Sequence, residues 1–144
     1  MSDVVVRSPR AEDAEAIADL MGQLGYPTPP EEIPHRLAAL KDDDKTSISW
    51  IAELDGRVVG FAGARVFPAI HQQNPIAQLT ILVVDKGVRG QGIGRQLVEL
   101  GERWARERGA WRISLTSALH RDDAHKFYER LGYEHTGVRL VKTL

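Results

Sequence analysis

The sequence predicts a mixed α/β (α+β) fold, one central sheet flanked by about four helices. Three observations lead there. Short β-branched, alternating or continuous apolar runs at 4–6, 46–66, 78–84, 112–116 and 137–142 read as strands. Stretches with a helical apolar period stand between them at about 9–24, 31–40, 93–108 and 122–131. Asp55-Gly56 is a strong two-residue hairpin turn, and a glycine-rich turn joins the run at 78–84 to the helical stretch after it.

Taken in order, Val4-Val5-Val6 is a first strand. Ser8-Pro9 supplies an N-cap followed by proline at the first helical position, with Glu12, Asp13 and Glu15 near the positive end of the dipole. Ala14, Ile17, Ala18, Met21 and Leu24 recur at helical spacing, and Gly25-Tyr26-Pro27 ends that helix. A second helix covers Glu31–Leu40, and Asp42-Asp43-Asp44 is a solvated turn. Ile48, Trp50, Ala52 and Leu54 alternate with more polar residues along one strand of the hairpin. On the returning strand, Gly60 and Gly63 weaken the strand or admit a close neighbour. Phe67–Ile76 is a loop, and Gln78–Val84 reads as a central strand buried on both faces. Ile93, Leu97, Leu100 and Trp104 share one face of the next helix, which Gly109 caps. Arg112–Thr116 is a strand, Asp122–Leu131 a helix closed by Gly132, and Gly137–Lys142 a last strand.

A length of 144 residues with no linker, repeat or low-complexity segment fits one domain over 1–144. Nineteen basic against twenty acidic side chains argues against a general nucleic-acid or anionic-membrane binder, which would carry a basic excess. With no cysteine, disulfides, thiolate metal sites and a cysteine nucleophile are excluded. The histidines show no zinc-ligand spacing, so no metal is expected. No signal-like N-terminus and no run of about 18 apolar residues occurs, which predicts a cytoplasmic protein. A homodimer is left open.

The segment Arg89-Gly90-Gln91-Gly92-Ile93-Gly94-Arg95 carries the chemistry. Glycines let the backbone turn tightly and approach a ligand, and the first amides of the following helix have no intrahelical partner. That geometry suits a phosphate or pyrophosphate, with Arg89 and Arg95 adding positive charge. Such glycines also serve simply to turn a strand into a helix; the strand-before, helix-after context favours the anion. A P-loop would need Gly-Lys followed by Ser or Thr. A Rossmann loop would need G-x-G-x-x-G and an acidic residue about 20 positions on. Neither is present.

These residues resemble the GNAT acetyltransferase family. Its acetyl-CoA motif, Q/R-x-x-G-x-G/A, is matched by Arg89, Gly92 and Gly94 after the strand Ile81–Val84. Its later helix signature is matched by Ala124, Phe127-Tyr128 and Gly132-Tyr133. The resemblance implies a central, mostly antiparallel sheet with two splayed strands and acetyl-CoA as co-substrate. It implies that Leu82, Val83 and Val84 pair with the pantetheine arm and that amides from Gly90 to Arg95 hold the pyrophosphate, with Arg121 and Phe127 beside the cofactor. It further implies that Tyr128 protonates the departing CoA thiolate; read alone, Tyr128 belongs to a core stripe with Ala124, Phe127 and Leu131, and its place in the matched signature reverses that reading. Many members carry asparagine seven residues before this tyrosine, where Arg121 stands here. The tail Arg121-x-Asp123-Ala124-His125-x-Phe127-Tyr128, Gly132-Tyr133-Glu134 and Arg139-x-x-Lys142-x-Leu144 is similar to aminoalkylphosphonate N-acetyltransferases.

The implied reaction is attack of a primary amine, on a small molecule, at the thioester carbonyl. An amine of ordinary pKa, about 10.4, reaches its neutral form at pH 7 at a cost of about 4.6 kcal/mol, so a base or water chain must help. A tyrosine of pKa about 10 is a suitable donor to a thiolate whose conjugate acid lies near 8.5. The Val84 amide is a candidate for the oxyanion. Related enzymes often place a glutamate on the central strand, yet Gln78-Leu79-Thr80-Ile81-Leu82 carries no carboxylate. His71 is therefore a candidate base, with Glu53 and His120 as others. Arg121, Lys126, Arg139 and Lys142 make the C-terminal part locally basic, suited to a CoA phosphate or an anionic acceptor, or simply to a solvated face. A protein N-terminal or lysine acetyltransferase and a catalytically silent CoA-binding module are the alternatives.

Overall fold

Among the described residues, five strands in sequence order make the sheet: β1 (Val4–Arg7), β2 (Ser47–Leu54), β3 (Arg57–Phe67), β4 (Ile76–Val84) and β5 (Arg112–Ser114). The structure, a computed structural model, describes residues 3–116 and 122–144. The chain divides into two units, Met1–Ser114 and Leu115–Leu144, and the first holds the whole sheet. β1 through β4 pair antiparallel and β5 joins β4 in parallel, so the sheet is mixed and mostly antiparallel. Asp55 (φ 54°) and Gly56 (φ 76°) close the β2–β3 hairpin with both central residues left-handed, the turn that matches strand twist.

Helices α1 (Ala14–Leu24) and α2 (Ile33–Asp42) cover one face and α3 (Ile93–Glu107) the other. Ile17, Leu20 and Met21 of α1 and Ile33 of α2 pack with Ile51, Phe61 and Val83. α3 buries Ile93, Leu97, Val98, Gly101, Trp104 and Ala105, while Leu100, expected on that face, is half-buried. Two glycines set how close α3 lies. A Cβ on Gly60 would stand 3.0 Å from Leu97 Cδ1, and one on Gly101 3.1 Å from the Trp50 ring. Trp50, Ile51 and Ala52 are all buried, so β2 is covered on both faces at its centre although its sequence alternates.

β4 departs from simple alternation. Gly63 pairs with Ile81 and Ala64 with Leu79, which leaves Thr80 as an extra residue in β4. The bulge switches faces. Leu79 lies on the α3 side, beside the position of Gly101, whereas Ile81 and Val83 join the α1–α2 core. Gly63 is needed opposite it, because a Cβ there would stand 2.9 Å from Thr80 Oγ1.

The first helix does not start at Ser8-Pro9 as its sequence suggests. A single 3-10 turn, Ala11–Asp13, precedes α1 at Ala14. Asp13 is the reason. It is only 7% exposed, accepts the Arg10 N–H at 2.7 Å and receives the Arg7 guanidinium on both oxygens at 2.8 and 2.9 Å. Arg7 also donates to Glu53 Oε1 at 2.6 and 2.9 Å, tying β1 and β2 to the start of α1. Gly25 (φ 101°) then ends α1.

In the second unit, α4 (Asp122–Arg130) is followed by Gly132 at φ 95°. The expected strand Gly137–Lys142 does not form, and residues 133–144 take no regular structure. Val138, Leu140 and Val141 are 89%, 91% and 73% exposed, so no face of the segment is buried and no described ladder pairs it. No helix among the described residues is long and apolar enough to cross a membrane.

The Arg7 guanidinium holds the Asp13 carboxyl below the usual carboxylate range. A carboxyl depressed on folding stabilises the protein above its unfolded pKa and loses that contribution as pH falls towards the folded value. Asp13→Asn should lower stability at neutral pH by about 2 kcal/mol. The gap from the parent should narrow as pH drops below about 4, and denaturant melts across that range check both statements.

Candidate active site

β5 pairs with β4 only from Ile76↔Arg112 to Gln78↔Ser114. Beyond that, no strand among the described residues of the first unit pairs with Leu79–Val84 on the side away from β3. The ladder decides which groups face that open side. The Asp85 N–H donates to Val59 O at 2.7 Å, so the flanking pair Gly60↔Val84 is not mutually hydrogen-bonded. By the same alternation Leu82 and Val84 turn their amides and carbonyls outward, and Val83 bonds Phe61. Of the three residues expected to meet the pantetheine arm, two therefore present their backbone to the open edge. Val84 also accepts a hydrogen bond from Arg89 Nε at 3.2 Å.

Past β4 the chain turns through Lys86–Val88 and reaches Gly90 and Gly92, whose φ values are 85° and 81°. Nothing lies within 4 Å of a Cβ built on either residue, so glycine is required here by backbone conformation rather than by space. Gly92 is the N-cap of α3 and offers no side chain to the helix; the first intrahelical bond runs from Gln96 N to Gly92 O at 3.1 Å. The amides of Ile93, Gly94 and Arg95 precede it and point out of the helix end, where the dipole favours an anion. Ile93 is 1% exposed and anchors the turn, whereas Gln91 and Arg95 lie at the surface. Arg95 is drawn along the helix to Glu99 at 2.8 Å, a pairing that raises its pKa and shares its charge.

Upstream of the glycines the turn is fully bonded. Asp85 is held below the usual carboxylate range, first by the Gln23 amide and then by Gly87 N, with Arg57 and Lys86 adding favourable charge. Asp85 is a recognisable turn residue in sequence. Gln23, on α1, gave no signal at all.

The other expected site residues divide. Glu53 is bound by Arg7 through two hydrogen bonds. His71 is exposed in the β3–β4 loop, at the end of β4 opposite the glycine turn. In the second unit, Tyr128 and Phe127 are half-buried neighbours on α4, with ring centroids 5.1 Å apart, and Tyr128 also meets Tyr133 edge-on at 5.8 Å. Arg139 donates to Thr116 Oγ1 at 3.2 Å. Arg121 and His120 lie outside the described residues.

Among the described residues, a strand paired on one side only over its last part leads into a glycine turn and a helix N-terminus. The chain belongs to the acetyltransferase (GNAT) family, whose family model matches residues 15–133. Among individual proteins, it is 38% identical over 94 residues to the aminoalkylphosphonate N-acetyltransferase of Salmonella typhimurium, covering 65% of this chain and 61% of that one. It is 34% identical over 92 residues to the N-acetylaspartate synthetase of Rattus norvegicus, covering 64% of this chain but 29% of that one. The chain thus matches less than two thirds of the length of these relatives. The fold is that of aminoglycoside N-acetyltransferase AAC(6')-Iy in complex with CoA, at a TM-score of 0.85 and 22% identity over 100% of this chain and 96% of that one.

Placing a side chain at Gly92 forces an L-residue into left-handed backbone, which costs about 1–2 kcal/mol. Gly92→Ala should lower the melting temperature modestly and weaken acetyl-CoA binding at least about tenfold, as titration calorimetry would read. Binding equal to the parent's would separate the turn from the ligand.

Proposed function

We propose that the protein transfers the acetyl group of acetyl-CoA to the primary amine of a small molecule, with aminoalkylphosphonates as the first acceptors to test. The observation that carries this reading is the pair of left-handed glycines delivering the first amides of α3 next to the part of β4 that, among the described residues, has no strand on its side away from β3. In it, backbone groups of Leu82–Val84 on the outward side of β4 align the pantetheine arm. The amides from Gly90 to Arg95 hold the pyrophosphate, and Arg89, braced on the Val84 carbonyl, supplies charge. An amine nitrogen attacks the thioester carbon, the oxyanion is met by the Val84 amide, and the C–S bond breaks as the thiolate takes a proton from Tyr128. The place of Phe127-Tyr128 and Gly132-Tyr133 in the family's helix signature supports that last role, with Phe127 and Arg121 assigned to the cofactor. The unbroken family match over 15–133 supports a single acetyltransferase domain across both units.

The acceptor class rests on the Salmonella relative and on the basic residues Arg139 and Lys142, which suit a phosphonate dianion. For the base, Glu53 is occupied by Arg7 and His71 is exposed at the far end of β4, so the reading gives proton removal to water.

The test incubates the protein with acetyl-CoA and an amine panel that includes aminoalkylphosphonates and a lysine peptide, and follows thiol release. Amine-dependent release on a phosphonate is expected. Release on the peptide alone would favour a protein acetyltransferase, and cofactor binding with no release on any acceptor a silent module. Tyr128→Phe should lower kcat by about a hundredfold with acetyl-CoA affinity little changed. His71→Gln should keep kcat within about threefold of the parent, and a loss beyond tenfold would restore it as the base.

A further inference from the structure

The glycine turn is held from a distance. Gln23, half-buried near the end of α1, donates its Nε2 to Asp85 Oδ1 at 2.7 Å and to Asp19 Oδ2 at 2.9 Å. Its Oε1 accepts the Lys86 N–H at 2.9 Å. Asp85 Oδ2 in turn accepts the Gly87 N–H at 3.2 Å and lies 3.8 Å from Arg57 Nη2. With Asp85 N on Val59 O and Val88 N on Asp85 O, every amide from Asp85 to Val88 has a protein acceptor. The amides of Ile93, Gly94 and Arg95, a few residues later, precede the first intrahelical bond of α3, and Gly92 gives them no side-chain cap.

We infer that Gln23 is a positioning residue for the cofactor, its single carboxamide locking the Asp85–Val88 turn so that the amides beyond it are presented in fixed array. This rests on the reading of that turn as the acetyl-CoA pyrophosphate site. The physical argument is one of preorganisation. Left-handed glycines have more conformational freedom to lose than other residues, so a loop built on them binds tightly only if something else fixes where it begins. Gln23 also separates two carboxylates, Asp19 and Asp85, that would repel across the gap if the amide were removed. A glutamine has the donor and acceptor needed to satisfy a carboxylate and a backbone N–H at once. No hydrocarbon or acid of the same length can do both. The bond joins residues 62 apart in sequence, so it couples α1 to the loop rather than completing a local turn.

The experiment compares the full chain with Gln23→Met, Asp85→Ala and the double variant. Acetyl-CoA binding is measured by titration calorimetry well below the melting temperature, and amide hydrogen exchange is followed across residues 86–95 without ligand. Gln23→Met should bind acetyl-CoA about tenfold more weakly, because the hydrogen bond it loses is made to a charged group. Exchange in that segment should quicken. Asp85→Ala should weaken binding at least as much, and the double variant by less than the product of the two, since the two residues share the Gln23–Asp85 contact. A Gln23→Met protein that is less stable but binds acetyl-CoA within about twofold of the parent would overturn the inference, as would fully multiplicative losses. A parent chain that itself binds no acetyl-CoA overturns the cofactor reading first and this one with it, and the two failures are told apart by the parent alone.

Discussion

Thr80, the extra residue in β4, governs how the rest of the first unit can be arranged. A strand that alternates regularly offers one apolar set to one layer. β4 has to serve two helical layers and, among the described residues, is paired on both edges over only part of its length. The bulge serves both layers by sending Leu79 towards α3 and Ile81 and Val83 towards α1 and α2. The ladder of the short β5 ends at Gln78, and among the described residues no strand pairs with the outward amides of Leu82 and Val84. Gly63 bears on the bulge, because a Cβ there would stand 2.9 Å from Thr80 Oγ1 and 3.2 Å from Ile81 Cγ2.

The electrostatics of the glycine turn come mainly from backbone. A hydrogen bond to a charged group contributes about 1.5–3 kcal/mol, whereas a surface charge near a helix end contributes about 0.3–1 kcal/mol and is screened by salt. The first amides of α3 are fixed by the backbone, whereas the Arg95 guanidinium is already paired with Glu99. Close docking of α3 through Gly60 and Gly101 matters for the same reason: it places that helix end beside the last residues of β4. The approach has a polar cost, since Trp50 packs against Gly101 with its Nε1 buried and without a partner among the described residues.

Most of the fold was legible because its signals are local. The Asp55-Gly56 turn, the α3 stripe and the positive-φ glycines at 90, 92 and 109 each reflect backbone preferences carried by the residues themselves. What was not legible depends on residues far apart. A continuous apolar run cannot reveal a change of face, so the bulge at Thr80 was hidden. Ser8-Pro9 has the form of a helix start, but Arg7 and Asp13 override it with contacts no spacing rule contains. Gly137–Lys142 has strand-like composition, but composition supplies no partner edge. In the site, the glycine turn was found by pattern and Gln23 was not, because its role exists only once α1 lies beside Asp85.

The same distant contacts narrow the chemistry. Two carboxylates of the first unit that stand near the α1 face of the sheet, Glu53 and Asp13, share the one Arg7 guanidinium. A third, Asp85, is held by Gln23, Gly87 and Arg57 and is pushed towards its charged form. A carboxylate stabilised in this way is a poorer proton acceptor, since each hydrogen bond or cation that lowers its pKa also lowers its basicity. These acids are committed to holding the strands, α1 and the glycine turn in place.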